Sequence, residues 1–352
     1  MINLKKFFIF ISIILLLFSI NFKGYSETDL IEHMDMVIEV YDYEDNFIFS
    51  TARHVTKGDR YISQDNVEYV IQEVEEDTAR AENKGEIELI DEEIGALPPI
   101  ASETKSVGIF HTHNAESYTP EISAHGAGDV HEVGRVFKNS LEEHTVNAIQ
   151  LENMHLPHDG GAYNRSRRTA EELIEQNVDA KFDIHRDAIP DESEYITEGN
   201  GEKRVLTRLV VGRQNPNREV NEQFARNLKA VSDNNNNMIR DIFFGQGDYN
   251  QSLHPRALLL EIGTHGNEKE EAKITATKLA EDVSLALYGG AEGEPIGQAG
   301  EARSAWTTIA WILGIFIFGV LGYLYINERS WEGVMNRIIE FFGREIFDRN
   351  KE

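Results

Sequence analysis

Between residues 34 and 90, short runs of β-branched and aromatic residues alternate with turn formers. Apolar stretches at 36–43, 47–51, 61–63, 68–74 and 87–90 are broken by Glu44-Asp45-Asn46, Lys57-Gly58-Asp59 and Asn83-Lys84-Gly85. Such runs read as strands, and together they predict a small β-rich domain over residues 27–100. Nothing in it points to chemistry, so a spacer or docking role is the furthest reading. Leu97-Pro98-Pro99 marks a boundary near residue 100. From residue 107 the rhythm changes: candidate strands at 107–110, 146–151, 181–184, 205–211 and 257–262 alternate with helical patterns. In these, Val220, Phe224, Leu228 and Val231 mark one face, and Ala272, Leu279, Val283 and Leu287 another. That alternation predicts an α/β fold over residues 101–288, with a mostly parallel sheet and helices on both faces.

The two ends read differently. An uncharged apolar run at 7–20, preceded by Lys5 and Lys6 and followed by Gly24-Tyr25-Ser26, makes residues 1–26 a secretory signal or an uncleaved membrane anchor. After the α/β region, residues 289–305 are glycine-rich and read as a flexible linker. Residues 306–326 carry no charge and have Trp306, Trp311, Tyr323 and Tyr325 near their margins, the pattern of a transmembrane helix. In the tail, 327–352, Trp331, Val334, Met335, Ile338, Phe342 and Ile346 recur at helical spacing with Arg337, Arg344 and Arg349 between them. This predicts an amphipathic helix on the inner membrane surface, or one that self-associates. Either reading of the N-terminus puts residues 27–305 outside the cytoplasmic membrane.

Charge and composition narrow the chemistry. The net charge is −27, from 34 basic and 61 acidic residues, and the ends contribute almost none of the imbalance. A surface this acidic repels nucleic acid, which excludes a DNA- or RNA-binding role. There is no cysteine, so a metal would have to be held by His, Asp or Glu.

Three predicted strands run directly into such residues: 107–110 into His111-Thr112-His113, 181–184 into His185-Arg186-Asp187, and 257–260 into Glu261. In open parallel sheets the carboxyl ends of strands line the ligand crevice, so the three motifs should converge. A hydrolytic zinc site needs three N or O ligands and an open position. His111, Glu116 and His185 meet that count, with His113, His125, Glu132 and His158 as rivals for a ligand place. Glu261 ends the apolar run Ala257-Leu258-Leu259-Leu260, which would bury it, the setting of a general base. His158, Asp159, Tyr163 and Ser166 form a loop and helix start suited to binding substrate or orienting a ligand. Arg186 and Asp187 read as groups that steady the ligating histidine from behind.

In order and approximate spacing, these stretches resemble the stage II sporulation protein P family. They are His111-Thr112-His113-Asn114-Ala115-Glu116-Ser117-Tyr118, His158-Asp159 with Tyr163 and Ser166, Asp183-Ile184-His185-Arg186-Asp187, and Leu260-Glu261-Ile262-Gly263 with Asn267. The resemblance covers residues 105–288. It implies a zinc amidase fold related to bacterial N-acetylmuramoyl-L-alanine amidases, acting on peptidoglycan during endospore engulfment, with cross-link cleavage also ascribed to the family. It further implies work alongside stage II sporulation proteins D and M. Two features depart from the family pattern: Arg167 stands where an aromatic residue is expected, and a membrane span follows the catalytic region. The competing class is a non-catalytic envelope scaffold or wall-binding protein. A two-metal phosphoesterase fits less well, because such sites gather more aspartates.

Overall fold

The computed structural model describes residues 37–90, 95–199 and 202–289, together with residues 330 and 333. The expected signal or anchor, the linker beyond residue 289, the membrane span and almost all of the tail lie outside the described residues. Among the described residues, no helix is long and apolar enough to cross a membrane.

The strands are β1 (Ile38–Tyr41), β2 (Phe47–Thr51), β3 (Arg60–Ile62), β4 (Val67–Glu75), β5 (Thr78–Glu86), β6 (Ser106–Phe110), β7 (Asn147–Gln150), β8 (Ala180–Asp187), β9 (Ile196–Gly199), β10 (Glu202–Val205), β11 (Thr207–Gly212), β12 (Ile239–Gly245) and β13 (Ala257–Thr264). The helices are α1 (Val130–Glu143), α2 (Ala162–Glu175), α3 (Arg218–Asn234) and α4 (Lys269–Tyr288). Eleven strands form one sheet in the order β2-β1-β5-β4-β3-β12-β11-β13-β8-β6-β7, and β9 and β10 form a separate hairpin. From β12 to β7 every ladder is parallel except that of β11 with β13. In the N-terminal strands only β1 with β5 is parallel.

The α/β class therefore holds, with a mixed sheet. The separate β-rich domain does not. Strand β3 pairs antiparallel with β12, Ile62 opposite Ile242, so the N-terminal strands extend the same sheet. Each strand would otherwise leave a row of backbone donors and acceptors unpaired, and joining them satisfies both edges. The sheet then curls back on itself. Phe49 of β2, five places from β12 in the strand order, lies 6.0 Å from Phe243 and stacks on Tyr61 at 4.0 Å.

The two faces of the sheet are covered by different material. Against one face pack α1, α3 and α4, through buried residues at helical spacing: Val130, Val133, Phe137 and Leu141 of α1, and Ala272, Ala276, Leu279 and Val283 of α4. Each large apolar side chain buried in this way stabilises the fold by roughly 1.5–3 kcal/mol. On the other face α2 covers Phe110 with Ala170 and Leu173. The rest of that face, Val210, Phe243 and Leu259, is covered by Phe49, Val55 and Tyr61 of the N-terminal segment. Helices do lie on both faces, but the N-terminal strands occupy the place of a further helix layer.

Three elements differ from the pattern in the sequence. Residues 87–90 are not a strand; β5 lies just before them and runs through Asn83-Lys84-Gly85, where a turn is predicted. Residues 205–211 divide into the end of β10 and most of β11. Strand β12, the sixth of the eleven, is not predicted because it carries Arg240 and Asp241; both are buried and ion-paired to each other, at 3.1 Å.

Candidate metal centre

Because β6, β8 and β13 are mutually parallel neighbours, their carboxyl ends lie together. Phe110 is opposite Asp183, and His185 is opposite Glu261. After Phe110 the chain leaves the sheet and bends, carrying His113 and Glu116 over the end of β8. Glu116 Oε1 lies 3.0 Å from His113 Nδ1 and 3.3 Å from His185 Nδ1. One donor atom from each of His113, Glu116 and His185 falls within 4.8 Å of the others, and all three residues are buried. Gly128 makes room for this loop: a Cβ there would lie 2.1 Å from the Glu116 carbonyl oxygen.

These residues suit a cation. Two imidazoles and a carboxylate are the donor types of a zinc site. The far nitrogen of His185, Nε2, sits 3.0 Å from Asp183 Oδ1, an ionic contact without the alignment of a good hydrogen bond. A carboxylate behind a ligating imidazole fixes the ring and leaves its other nitrogen for a metal. Asp183 is steadied in turn by Thr112, whose backbone N–H donates to Oδ1 at 2.8 Å and whose hydroxyl donates to Oδ2 at 2.6 Å. Burial pushes the His185 imidazole down, but the charges of Asp183 and then Glu116 outweigh it and raise the group to about 10. The two carboxylates that raise this imidazole would also favour a divalent cation here.

His111 is not in this cluster, contrary to expectation. The alternation that would place it beside His113 ends with β6 at Phe110, and the two rings take different directions from the bend. His111 Nδ1 pairs with the Ile184 carbonyl at 3.0 Å, and its Nε2 takes a hydrogen bond from Gln150 Nε2 at 2.9 Å. Its ring lies 4.4 Å from that of His131. The approach of α1 requires Gly134, where a Cβ would fall 2.7 Å from His111. Burial, reinforced by His131, lowers the His111 imidazole to about 3, so it stays neutral. His155 belongs to the same layer: Nδ1 pairs with the His111 carbonyl at 2.7 Å and Nε2 with Thr169 at 2.8 Å.

The remaining predicted residues fall around the cluster. The His158 ring stacks on His113 with centroids 4.1 Å apart, while Asp159 is tied to Arg165 at 2.5 Å. The Tyr163 ring is 5.4 Å from that of His113 and 6.4 Å from that of His185. Ser166 bonds Thr112 Oγ1 at 2.8 Å and so acts through Asp183. Arg186 pins the Glu116 loop: its N–H donates to Glu116 Oε2 at 3.1 Å, and its guanidinium donates to the carbonyls of Ser117 and Ile122. Asp187 does not support the histidine. It accepts from Tyr195 at 2.8 Å and Arg208 at 3.1 Å, and Asp183 takes the role assigned to it. Among the rivals for a ligand place, His125 is exposed and Glu132 is paired with Lys269 and Lys273.

Glu261 is fully buried and ion-paired. Arg53, just past β2, donates from Nε to Oε1 at 2.5 Å, and Tyr195 lies 3.5 Å from Oε2. Sequence reasoning assigned no chemistry to Arg53, and it gave none to Asp183, although that residue stands inside one of the motifs.

A family model for stage II sporulation protein P (SpoIIP) matches residues 27–284, taking in the N-terminal strands as well as the strands that carry the site. The stage II sporulation protein P of Bacillus subtilis (strain 168) is 31% identical over 212 residues. The aligned part is 53% of this chain and about half, 52%, of that relative's length. Among solved structures, an N-acetylmuramoyl-L-alanine amidase from Clostridium difficile 630 overlaps 53% of this chain and 95% of its own, at 15% identity and a TM-score of 0.35. The CwlD amidase from Clostridioides difficile, solved in complex with the GerS lipoprotein, overlaps 52% and 95%, also at 15% identity and 0.35.

Proposed function

Since the chain belongs to the stage II sporulation protein P family, we propose that it hydrolyses peptidoglycan as a zinc-dependent N-acetylmuramoyl-L-alanine amidase. The observation that carries this reading is the buried set of His113, Glu116 and His185, with Glu261 beside His185 on the next strand. His113, Glu116 and His185 would hold the ion. When bound, zinc supplies a Lewis acid that polarises the scissile carbonyl and makes water more acidic. Asp183 holds the His185 ring from Nε2, which leaves Nδ1 on the side of Glu116, where it would serve as a ligand. Glu261 takes the proton from the attacking water at a carboxylate oxygen and delivers it to the amine that leaves with the stem peptide. His158 and Tyr163, packed against His113, border the place where substrate would lie.

The same proposal puts the enzyme outside the cytoplasmic membrane, on the strength of the apolar runs at 7–20 and 306–326. It works there on the wall in sporulation, with stage II sporulation proteins D and M as candidate partners. The test is muropeptide analysis of cell wall treated with the zinc-loaded protein. Free stem peptides are expected, and Glu261→Gln should slow their release by roughly 10²–10⁴-fold while keeping its zinc. Wall left intact by the zinc-loaded parent, or release unchanged in Glu261→Gln, would refute the reading; intact wall that is nonetheless bound would favour an envelope scaffold.

A further inference from the structure

The N-terminal strands cover the one face of the sheet that carries a row of charges. On adjacent strands β12, β11, β13 and β8, the residues in register are Asp241, Arg208, Glu261 and His185. Partners in register project to the same side, so the four side chains line one face, all fully buried. Buried charges need partners: Arg208 and Asp241 pair with each other at 2.7 Å, His185 lies between Asp183 and Glu116, and the N-terminal segment adds further contacts. Tyr61 donates to Asp241 at 3.1 Å, the Ser50 carbonyl accepts from Arg208 at 3.2 Å, and Arg53 binds Glu261 at 2.5 Å. Arg53 is itself only 5% exposed and is anchored on both sides, by the Thr51 hydroxyl behind it and by the packing of Val55 after it. Its Nη1 also reaches the hydroxyl of Tyr163, the ring that lies against both His113 and His185, at 3.4 Å.

We infer that Arg53 is a positioning residue for the reaction: it holds the Glu261 carboxylate in a single orientation beside the metal centre. The inference rests on the amidase reading, with Glu261 as the proton carrier. A preorganised guanidinium holds one carboxylate oxygen with a fixed N–H, so the other oxygen is set in place before substrate arrives. The catalytic machinery then spans both halves of the sheet, and the N-terminal strands are part of the active enzyme.

The experiment compares the zinc-loaded parent with Arg53→Ala and Arg53→Lys, following stem-peptide release, zinc content and melting temperature, with and without added guanidinium. In Arg53→Ala, kcat is expected to fall by about 100-fold with KM within about threefold. Zinc should stay bound, guanidinium should restore part of the rate, and Arg53→Lys should fall between. A parent that releases no stem peptide defeats the amidase reading. With an active parent, three results overturn the role of Arg53: release in Arg53→Ala equal to the parent, release faster than the parent, or a loss that neither guanidinium nor lysine repairs.

Discussion

His111 and His185 stand at the ends of neighbouring parallel strands, and neither has any exposed surface. Their proton affinities are nevertheless shifted in opposite directions. His111 faces a backbone carbonyl, an amide and another imidazole, and burial drives it down to about 3. His185 faces two carboxylates, which overcome burial and carry it to about 10. Burial alone does not assign a histidine its work; the groups within hydrogen-bonding distance do. One ring is a neutral strut between strands, and the other is held between two carboxylates in a cluster of donor types that could bind a metal.

Three experiments could break or sharpen that contrast. The largest effect belongs to the ligands. His113→Ala and His185→Ala should each lose zinc and reduce stem-peptide release by at least about 10³-fold, whereas His111→Gln should keep its zinc. Metal analysis of the purified variants decides, and zinc lost from His111→Gln but kept by His113→Ala would reverse the assignment. Next is Asp183→Asn, which removes the carboxylate behind His185 and should weaken zinc affinity by about 10–100-fold in a competition titration. An unchanged affinity would show that Asp183 does not support the ligand.

The smallest effect concerns the strut. Because the folded protein keeps His111 neutral down to about 3 while the unfolded chain takes up a proton near its ordinary value of 6.5, stability falls as pH drops through that window. Between pH 8 and pH 5 the parent should lose about 2 kcal/mol more than His111→Gln, read from urea midpoints. Equal losses in the two proteins would mean that His111 is protonated in the folded state.

Much of this was legible in the sequence, because it rests on local pattern. The strands that run into His111, His185 and Glu261 are short apolar runs, and the order of the motifs carries the family. The errors have physical causes. Taking His111 as a ligand assumed that the strand runs straight into it, whereas the strand stops at Phe110 and the bend after it brings His113 to Glu116 and His185. Strand β12 was hidden because Arg240 and Asp241 interrupt an apolar run, and their partners come from distant segments: Glu194 at 2.5 Å from Arg240, and Arg208 at 2.7 Å from Asp241. Strand β5, Thr-Ala-Arg-Ala-Glu-Asn-Lys-Gly-Glu, is polar along one side and gives no strand signal. Arg53 had no signal at all, since its meaning appears only when the sheet curls and brings residue 53 against residue 261.

The pairing of β3 with β12 also sets a timetable for the nascent chain. The strands made first have no partner for their inner edge until residue 244, opposite Arg60, has been synthesised. Contacts this far apart in sequence form late and slowly. That edge stays uncovered until β12 forms, and the cluster of His113, Glu116 and His185 gains Glu261 beside it only near the end of the described residues.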